Sequence, residues 1–381
     1  MIRVFYPQPS NHLLWVLQML VYLHCKNRLL EQWRLLLNCI FARMNLEITK
    51  AIKTLLNAPQ KIVIIAHKNP DGDAIGSTLG LWHYLKGKGQ DATIIVPNDF
   101  PKFLKWMPGT EQIINFEKDA SKAKSLINKA SVIFTLDFNH LGRIGQLQPL
   151  LEDASATFVM IDHHQEPDGY AKITYSDVSM SSTCEMVYNV IEGLNDIDFI
   201  TPELAISLYT GIMTDTGSFK YSSTTSRTHS VVAKLIERGA KNTEAHNKVY
   251  DTNTPSRLHL LGCALKNMVI LEEYNTAFIT LSQAELDAYD YKKGDTEGFV
   301  NYGLTLEGIV FAVIFIENRE EGIIKISFRS EGDFSANEFA RAHFNGGGHT
   351  NAAGGRSDIS MDDTTKLFKS LLPKYKADLN A

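Results

Sequence analysis

Apolar residues occur in two patterns along the first two thirds of the chain. Short continuous apolar runs, typical of strands buried on both faces, lie at 61–66, 91–96, 131–136 and 157–161. Segments with apolar positions every three or four residues, typical of helices, lie at 46–56, 74–88, 118–129, 182–191, 202–213 and 226–238. The alternation of buried strands with helices predicts an α/β domain built on a doubly wound parallel sheet.

The alternation stops near Gly239, and a second region follows. Residues 241–269 are predicted to be a polar connector with one helix at 257–266. Further strands are predicted at 275–281, 308–317 and 323–329, and helices at 335–343 and 363–371. We therefore expect a catalytic domain at 46–240, a linker at 241–262, a smaller α/β substrate-binding domain at 263–375 and a tail at 376–381, with the active site in the crevice between the domains.

The first 45 residues fit neither domain. Their apolar run at 13–23 is shorter than the roughly 20 residues that cross a bilayer, and it lacks the features of a secretory leader. We interpret residues 1–45 as an extension and expect translation to begin at Met44. An appended amphipathic or membrane-surface helix is the alternative.

Composition narrows the class of protein. The chain has 381 residues, of which 44% are hydrophobic and 21% charged, as in globular proteins. A net charge of −5 argues against a stable complex with long nucleic acid but is compatible with a short or mononucleotide substrate. The four cysteines are widely spaced, which disfavours zinc-finger and disulfide frameworks and fits a cytoplasmic protein that does not bind membranes. A homodimer is compatible with the sequence.

A first group of candidate ligands directly follows the strand at 61–66. His67, Asp71 and Asp73 surround a turn that Pro70 and Gly72 impose, so their side chains can converge. Carboxylates with one imidazole suit Mn²⁺ or Mg²⁺ better than a thiolate-binding ion. The alternative is a loop that merely caps the next helix, with Asp73 as the cap.

Three more acidic positions end apolar segments. Asp137 closes the strand at 131–136, Asp162-His163-His164 follows the strand at 157–161, and Asp215 ends an apolar helix. Ligands of parallel sheets bind beyond the carboxyl ends of the strands, so these groups should meet there. Carboxylates so close together repel one another, and a pair of metal ions about 3.5–4 Å apart would neutralise them.

The order and spacing of these groups resemble the four-motif signature of the DHH phosphoesterase superfamily. The resemblance covers residues 61–240 and implies two Mn²⁺ ions, with Mg²⁺ or Co²⁺ as alternatives. It implies that one ion is held by His67, Asp71 and Asp137, and the other by Asp73, Asp137, His163 and Asp215. It further implies that His164 faces the substrate phosphate, while Asp162 orients its neighbours.

A glycine-rich segment in the second region resembles the motif of the DHH-associated domain. In Gly346-Gly347-Gly348-His349, glycines let backbone N–H groups approach a phosphate, and His349 adds a donor. Arg329, at the end of a predicted strand, is the candidate phosphate clamp. Arg143, shortly after Asp137, is a further candidate for substrate contact, with a surface role as the alternative.

The sequence shows neither the oligonucleotide-binding barrel of larger exonucleases nor the sensor and membrane segments of large cyclic-dinucleotide phosphodiesterases. It therefore resembles most the stand-alone group that hydrolyses short oligoribonucleotides and 3′-phosphoadenosine 5′-phosphate (pAp). Two alternatives remain open. One is a phosphodiesterase of a linear or cyclic dinucleotide messenger, and the other is a non-catalytic nucleotide-binding module, which would lack at least one ligand.

Overall fold

The computed structural model describes residues 47–380, and the interpretations of the extension and of the start at Met44 lie outside these residues. Residues 47–55 form helix α1. The next elements are β1 (Lys61–Ala66), α2 (Gly72–Gly87), β2 (Asp91–Val96), β3 (Ile114–Asn115), α3 (Ala120–Lys129), β4 (Val132–Leu136), α4 (Gln148–Glu152), β5 (Thr157–Asp162), β6 (Ile173–Ser176), α5 (Thr183–Gly193), α6 (Pro202–Asp215), α7 (Ser226–Glu237) and α8 (Asn242–Tyr250). Within 47–380, no helix is long and apolar enough to cross a bilayer.

The first six strands form one parallel sheet in the order β3-β2-β1-β4-β5-β6. Alternate residues of β1 enter different cores: Ile62 and Ile64 pack on one face with α2, α5 and α6, whereas Val63 and Ile65 pack on the other with α3 and α4. Burial on both faces explains the continuous apolar runs. The predicted doubly wound α/β fold is confirmed, although the short strands β3 and β6 were not predicted.

The second half carries a mixed sheet in the order β11-β12-β10-β9-β8-β7, in which only β8 and β9 pair in parallel. Its elements are α9 (Pro255–Lys266), β7 (Val269–Leu271), β8 (Thr276–Leu281), α10 (Gln283–Ala288), β9 (Phe311–Asn318), β10 (Ile323–Ser330), α11 (Ala336–His343), β11 (Gly347–His349), β12 (Ala352–Ser357), α12 (Met361–Leu371) and α13 (Lys376–Leu379). Phenylalanines from β9, β10, α11 and α12 fill one core, and α9 and α10 cover the opposite face.

The segment predicted to be a polar connector is mostly helical. The helix α8, which the sequence did not predict, packs Ala245 into the core of the first sheet, and α9 packs Leu260 into the core of the second. Leu379, in the segment interpreted as a tail, is also buried in the second core. Short 3₁₀ turns complete the chain at Lys102–Leu104, Thr110–Gln112, Leu141–Leu147, Ile197–Phe199, Glu272–Tyr274, Phe299–Thr305 and Leu372–Tyr375.

Helices α2 and α6 lie unusually close together. A Cβ atom placed on Gly76 of α2 would lie 2.6 Å from the carbonyl oxygen of Ser207 in α6, and one on Gly211 of α6 would lie 3.1 Å from the carbonyl oxygen of Gly72 in α2. Only glycine permits such an approach of two backbones. The contact brings the first turn of α2, which carries Asp73, next to the last turn of α6, which carries Asp215.

Candidate active site

The candidate ligands lie at the carboxyl edge of the parallel sheet. His67 follows β1, Asp137 follows β4, and Asp162 is the last residue of β5, directly before His163 and His164. Strands β1, β4 and β5 are neighbours, so their carboxyl ends deliver these side chains to one place.

One group consists of His67, Asp71 and Asp137, which bring three ligand atoms within 4.8 Å of one another. His67 Nε2 lies 3.3 Å from Asp137 Oδ2 and 3.9 Å from Asp71 Oδ2. His67 Nδ1 is hydrogen-bonded to the carbonyl oxygen of Lys68, so Nε2 is the ring nitrogen that faces the carboxylates. A backbone carbonyl on the other ring nitrogen is the usual way in which proteins orient a metal-binding imidazole.

A second group contains Asp73, Asp137 and His163, with Asp215 beside it. His163 Nε2 lies 3.7 Å from Asp73 Oδ2, and 3.5 Å from both Asp137 Oδ1 and Asp215 Oδ2. His163 Nδ1 contacts the carbonyl oxygen of Met180 at 3.3 Å, so this ring is oriented in the same way as that of His67.

Asp137 belongs to both groups. Its Oδ2 faces His67, whereas its Oδ1 faces His163 and accepts a hydrogen bond from Thr183 Oγ1 at 3.1 Å. Its φ is +65°, a left-handed conformation that is uncommon for a residue other than glycine or asparagine. The side chain is only 2% exposed and points into the cluster, so one carboxylate lies between the two groups.

Asp73 has partners that the sequence did not indicate. Its carboxylate accepts hydrogen bonds from the backbone N–H groups of Thr183 (2.7 Å) and Cys184 (2.8 Å), at the beginning of α5. The suggestion that Asp73 caps α2 was wrong, because Asp71 accepts from the N–H groups of Asp73 and Ala74 and is the cap. The positive end of the α5 dipole thus faces the acidic cluster.

The electrostatics of the cluster show unbalanced negative charge. Burial and the charges of Asp137 and Asp215 raise the pKa of Asp73 well above its usual value, and burial raises the pKa of Asp215 to about 7. Burial would also raise the pKa of Asp137, but hydrogen bonds from His163 and His67 lower it well below its usual value. Burial opposes protonation of His163, yet its contacts with Asp137 and the other carboxylates raise its pKa well above the ordinary value. A divalent cation would relieve the repulsion among these carboxylates.

Asp162 fixes the orientation of the His164 ring. Its Nδ1 lies 2.7 Å from Asp162 Oδ1, and its backbone N–H donates to Asp162 Oδ2. Nδ1 is therefore the ring nitrogen that Asp162 holds, and Nε2 lies on the opposite side of the ring. The ring stacks on that of His349 from the second half, with centroids 4.4 Å apart and an interplanar angle of 23°. Burial, followed by the charges of His163 and His164, lowers the pKa of His349 to about 2 and keeps it neutral.

The glycine-rich segment is an edge strand rather than the flexible loop that its composition indicates. Gly347 pairs with Gly354, and Gly348 pairs with Ala353. A Cβ atom on Gly348 would lie 2.3 Å from the carbonyl oxygen of Ala352, so glycine is required there for packing. As β11 is at the edge of the sheet, N–H groups that do not pair with β12 point outward.

Two arginines lie near the cluster. Arg329, the last residue but one of β10, donates to the carbonyl oxygen of Phe328 at 2.9 Å, and its positive charge opposes the rise in the pKa of Asp215 that burial causes. Contacts with Asp137 and Asp71 raise the pKa of His67 against burial and against the charge of Arg143, which also opposes protonation of His349. Positive charge therefore faces the cluster from both halves of the protein.

The two halves are joined on both sides of the cluster. On one side, Gln165 Nε2 donates to Thr350 Oγ1 at 3.3 Å, and Arg341 pairs with Glu166 at 3.0 Å. On the other side, Lys293 Nζ donates to Asn69 Oδ1 at 3.0 Å, and Asn301 Nδ2 donates to Tyr221 at 3.2 Å. These pairs are separated by 80 to 224 positions in the sequence, so no local pattern indicated them.

The family profile described as the DHH family, N-terminal domain, matches residues 61–212, and the DHHA1 domain matches residues 276–373. The bifunctional oligoribonuclease and PAP phosphatase NrnA of Thermus thermophilus is 31% identical over 337 residues, covering 88% of this chain and 94% of the relative. The protein of the same name from Bacillus subtilis is 28% identical, covering 85% and 97%. The crystal structure of an exopolyphosphatase-related protein from Bacteroides fragilis superposes with a TM-score of 0.85 at 40% identity, covering 88% of this chain and 98% of that one.

Proposed function

The chain belongs to the DHH family, and on this premise we propose that it is a metal-dependent phosphoesterase of short oligoribonucleotides and pAp. It would release mononucleotides from the former, and AMP and phosphate from the latter. The observation that carries the proposal is the shared carboxylate of Asp137, placed between two groups of ligands and opposite the phosphate-binding candidates of the second half.

The residues present fit two divalent cations. The donor set comprises carboxylate oxygens and two imidazole Nε2 atoms, a combination that suits Mn²⁺, with Mg²⁺ or Co²⁺ as alternatives. His67, Asp71 and Asp137 would hold one ion. Asp73, Asp137, His163 and Asp215 would hold the other. When bound, such ions lower the pKa of water and neutralise charge that develops on phosphoryl oxygens.

The other residues would bind the substrate and move protons. His164, fixed by Asp162, would stabilise the charge on the phosphoryl group or protonate the leaving oxygen. Neutral His349 and the glycine strand at Gly347 and Gly348, in which every second N–H group points away from β12, would bind the neighbouring phosphate. Arg329 and Arg143 would clamp it, since a guanidinium can bind a phosphate through two parallel hydrogen bonds.

A preference for short chains follows from the charge and from the closure of the crevice. Long nucleic acid is held by a continuous basic track, and the chain has a net charge of −5. Contacts between the halves also bracket the cluster on both sides. A mononucleotide or a short oligonucleotide needs only the local cations and donors described above.

The replacement Asp137→Asn tests the proposal. Asparagine tolerates the left-handed backbone at this position, so the fold should persist while the shared carboxylate is lost. We expect hydrolysis of pAp and of di- to pentaribonucleotides in Mn²⁺ to fall by about 10²–10³-fold, as when a preorganised electrostatic group is removed from an active site. Asp91→Asn, the same change on the exposed beginning of β2, should leave the rates unchanged.

The assay panel should include the dinucleotide pApA, a cyclic dinucleotide and pyrophosphate. Cleavage of the dinucleotides without cleavage of pAp or of longer oligoribonucleotides would replace the proposal by the messenger phosphodiesterase. Absence of phosphoester hydrolysis with Mn²⁺, Mg²⁺ and Co²⁺, or full activity of Asp137→Asn, would refute it.

A further inference from the structure

The first turn of α5 lies directly beside the candidate metal ligands. Ser182 caps this helix, since its side chain accepts from the backbone N–H of Glu185 at 3.1 Å. The N–H groups of Thr183 and Cys184 donate to the carboxylate of Asp73. The three N–H groups of the first turn are therefore paired without the hydroxyl of Thr183, and capping of the helix does not account for that hydroxyl.

The Thr183 hydroxyl is directed at the shared carboxylate instead. Thr183 is fully buried, and its Oγ1 donates to Asp137 Oδ1 at 3.1 Å. The backbone N–H of the same residue donates to Asp73 Oδ2 at 2.7 Å. One residue thus holds one oxygen of each of two candidate metal ligands.

The two oxygens held by Thr183 are those that face the second group of ligands, which contains Asp73, Asp137 and His163. His163 Nε2 lies 3.5 Å from Asp137 Oδ1 and 3.7 Å from Asp73 Oδ2. The other oxygen of Asp137, Oδ2, faces His67 at 3.3 Å. Thr183 therefore contacts the side of the shared carboxylate that belongs to the second group.

The first group, which contains His67, Asp71 and Asp137, has a different support. Asp71 Oδ1 accepts from the N–H groups of Asp73 and Ala74, at 3.1 Å each, at the beginning of α2. The other oxygen of Asp71, Oδ2, faces His67. The beginnings of two different helices thus support the two groups, α2 for the first and α5 for the second.

The first turn of α5 is itself fixed by a buried carboxylate. Glu185 is only 1% exposed, and its Oε2 accepts from Ser181 Oγ and from Thr228 Oγ1 of α7, the latter at 2.9 Å. These bonds connect the turn to the segment before it and to a neighbouring helix. A threonine side chain is also restricted in its rotation by its branched Cβ atom. The hydroxyl of Thr183 is therefore a donor of fixed direction.

The shared carboxylate requires such a donor. The terminal torsion of an aspartate side chain has broad minima, so the carboxylate plane of Asp137 is not set by its own rotamer preference. Rotation of this plane would turn Oδ1 away from the second group and Oδ2 away from the first. A hydrogen bond to Oδ1 selects one rotation, in which each oxygen faces its own group.

Building on the proposed function, we propose that Thr183 is a positioning residue for the second metal ion. Its hydroxyl orients Asp137 and its N–H group orients Asp73, so that both oxygens converge with His163 on one point. The first ion depends less on Thr183, because α2 holds Asp71 independently.

Thr183→Val tests this role, because valine keeps the branched side chain and the backbone N–H but lacks the hydroxyl. Calorimetric titration of the metal-free unaltered protein with Mn²⁺ should show two bound ions. In Thr183→Val, the affinity for one ion should fall by roughly 10–100-fold, as when partners of metal ligands are removed, and that for the other should stay within about threefold. Thr183→Ser, which keeps the hydroxyl, should restore both affinities.

Removing a ligand from one group shows which ion is affected. In His67→Asn, the second group keeps all its ligands, and adding Thr183→Val should weaken binding of the remaining ion by roughly 10–100-fold. In His163→Asn, the first group is complete, and adding Thr183→Val should change binding by less than about threefold. Equal losses in these two backgrounds would overturn the assignment of Thr183 to the second ion.

Thr364→Val is the matched control. Thr364 is also fully buried in the first turns of a helix, α12, and its hydroxyl is hydrogen-bonded to Ser357 Oγ at 2.8 Å. Its removal should lower the midpoint of urea unfolding, as Thr183→Val does, and leave both Mn²⁺ affinities unchanged. Unchanged affinities in Thr183→Val, or equal losses of affinity in Thr364→Val, would overturn the positioning role and leave the phosphoesterase in place.

Hydrolysis of pAp and of short oligoribonucleotides is measured separately. Two bound Mn²⁺ ions without hydrolysis would refute the proposed function, whereas a selective loss of one ion in Thr183→Val would still support the positioning role. Absence of Mn²⁺ binding by the unaltered protein would refute both.

Discussion

Replacing Gly76 by alanine tests whether the close contact of α2 with α6 holds the metal cluster together. The new methyl group would lie 2.6 Å from the carbonyl oxygen of Ser207. Restoring an ordinary contact of 3.4 Å requires the backbones to separate by 0.8 Å, the difference between these two distances. Both atoms belong to regular helices, so neither can move aside alone.

Two opposing effects set the magnitude. Alanine is favoured over glycine within a helix by up to ~1 kcal/mol, whereas overpacking a well-packed core costs typically ~1–3 kcal/mol. We expect Gly76→Ala to lower the free energy of unfolding by about 1–2 kcal/mol, measured by urea denaturation. Because Asp73 and Asp215 lie on the two helices that separate, the Mn²⁺ concentration for half-maximal activity should rise by roughly tenfold, as when residues that support metal ligands are altered.

Gly262→Ala is the matched control. Gly262 lies within α9, and a Cβ atom there would meet nothing within 4 Å. This change should raise the free energy of unfolding by about 0.5–1 kcal/mol through helix propensity and leave the Mn²⁺ dependence unaltered. If Gly76→Ala were as stable as Gly262→Ala and needed no more Mn²⁺, the packing of α2 on α6 would not position the cluster.

Two predictions concern pH. Burial, with nearby Asp71 and Asp137, raises the pKa of Asp215 to about 7. Below that pH a metal ion must displace the proton of Asp215 in order to bind. The affinity for Mn²⁺ should therefore rise with pH up to about 7 and then level off. Titrations with Mn²⁺ at pH 6, 7 and 8 measure this, and an affinity independent of pH would contradict it. The pKa of His349 is about 2 in the folded protein and near 6.5 in an unfolded chain. Below about pH 6.5 the unfolded state therefore binds more protons than the folded state. As a result, the free energy of unfolding of the metal-free protein falls as the pH drops below about 6.5. Urea unfolding between about pH 6.5 and 5 measures this effect. Over that range the free energy of unfolding should fall less for His349→Asn than for the unaltered protein, and the difference between the two should be at most about 1 kcal/mol per pH unit. Equal losses in the two proteins would refute the low pKa of His349.

The strands that the sequence predicted well are those buried on both faces. The runs that became β1, β2, β4 and β5 are continuous because both faces contact helices, so the pattern needed no tertiary information. The acidic and imidazole groups could be located for a related reason: polar residues that directly follow a buried strand mark its carboxyl end, where a parallel sheet binds its ligands.

Elements with weak local patterns were predicted poorly. Strand β3 has two residues, and β11 with β12 is rich in glycine, a composition typical of loops. These segments are strands because neighbouring strands supply their hydrogen bonds. The sequence pattern of one strand contains no information about which strands lie beside it. The helix α8 was missed because only Ala245 of its residues is buried, which leaves almost no apolar periodicity.

The sequence by itself determined the order of the buried strands and helices, the set of ionisable groups at the strand ends and the family. Tertiary structure decided which partner each group has: the N–H groups at the beginning of α5 for Asp73, backbone carbonyl oxygens for His67 and His163, and the ring of His349 for His164. The physical reason is that burial and hydrophobic periodicity are properties of a segment. Hydrogen bonds and charge contacts between distant segments depend on distances that only the folded chain fixes.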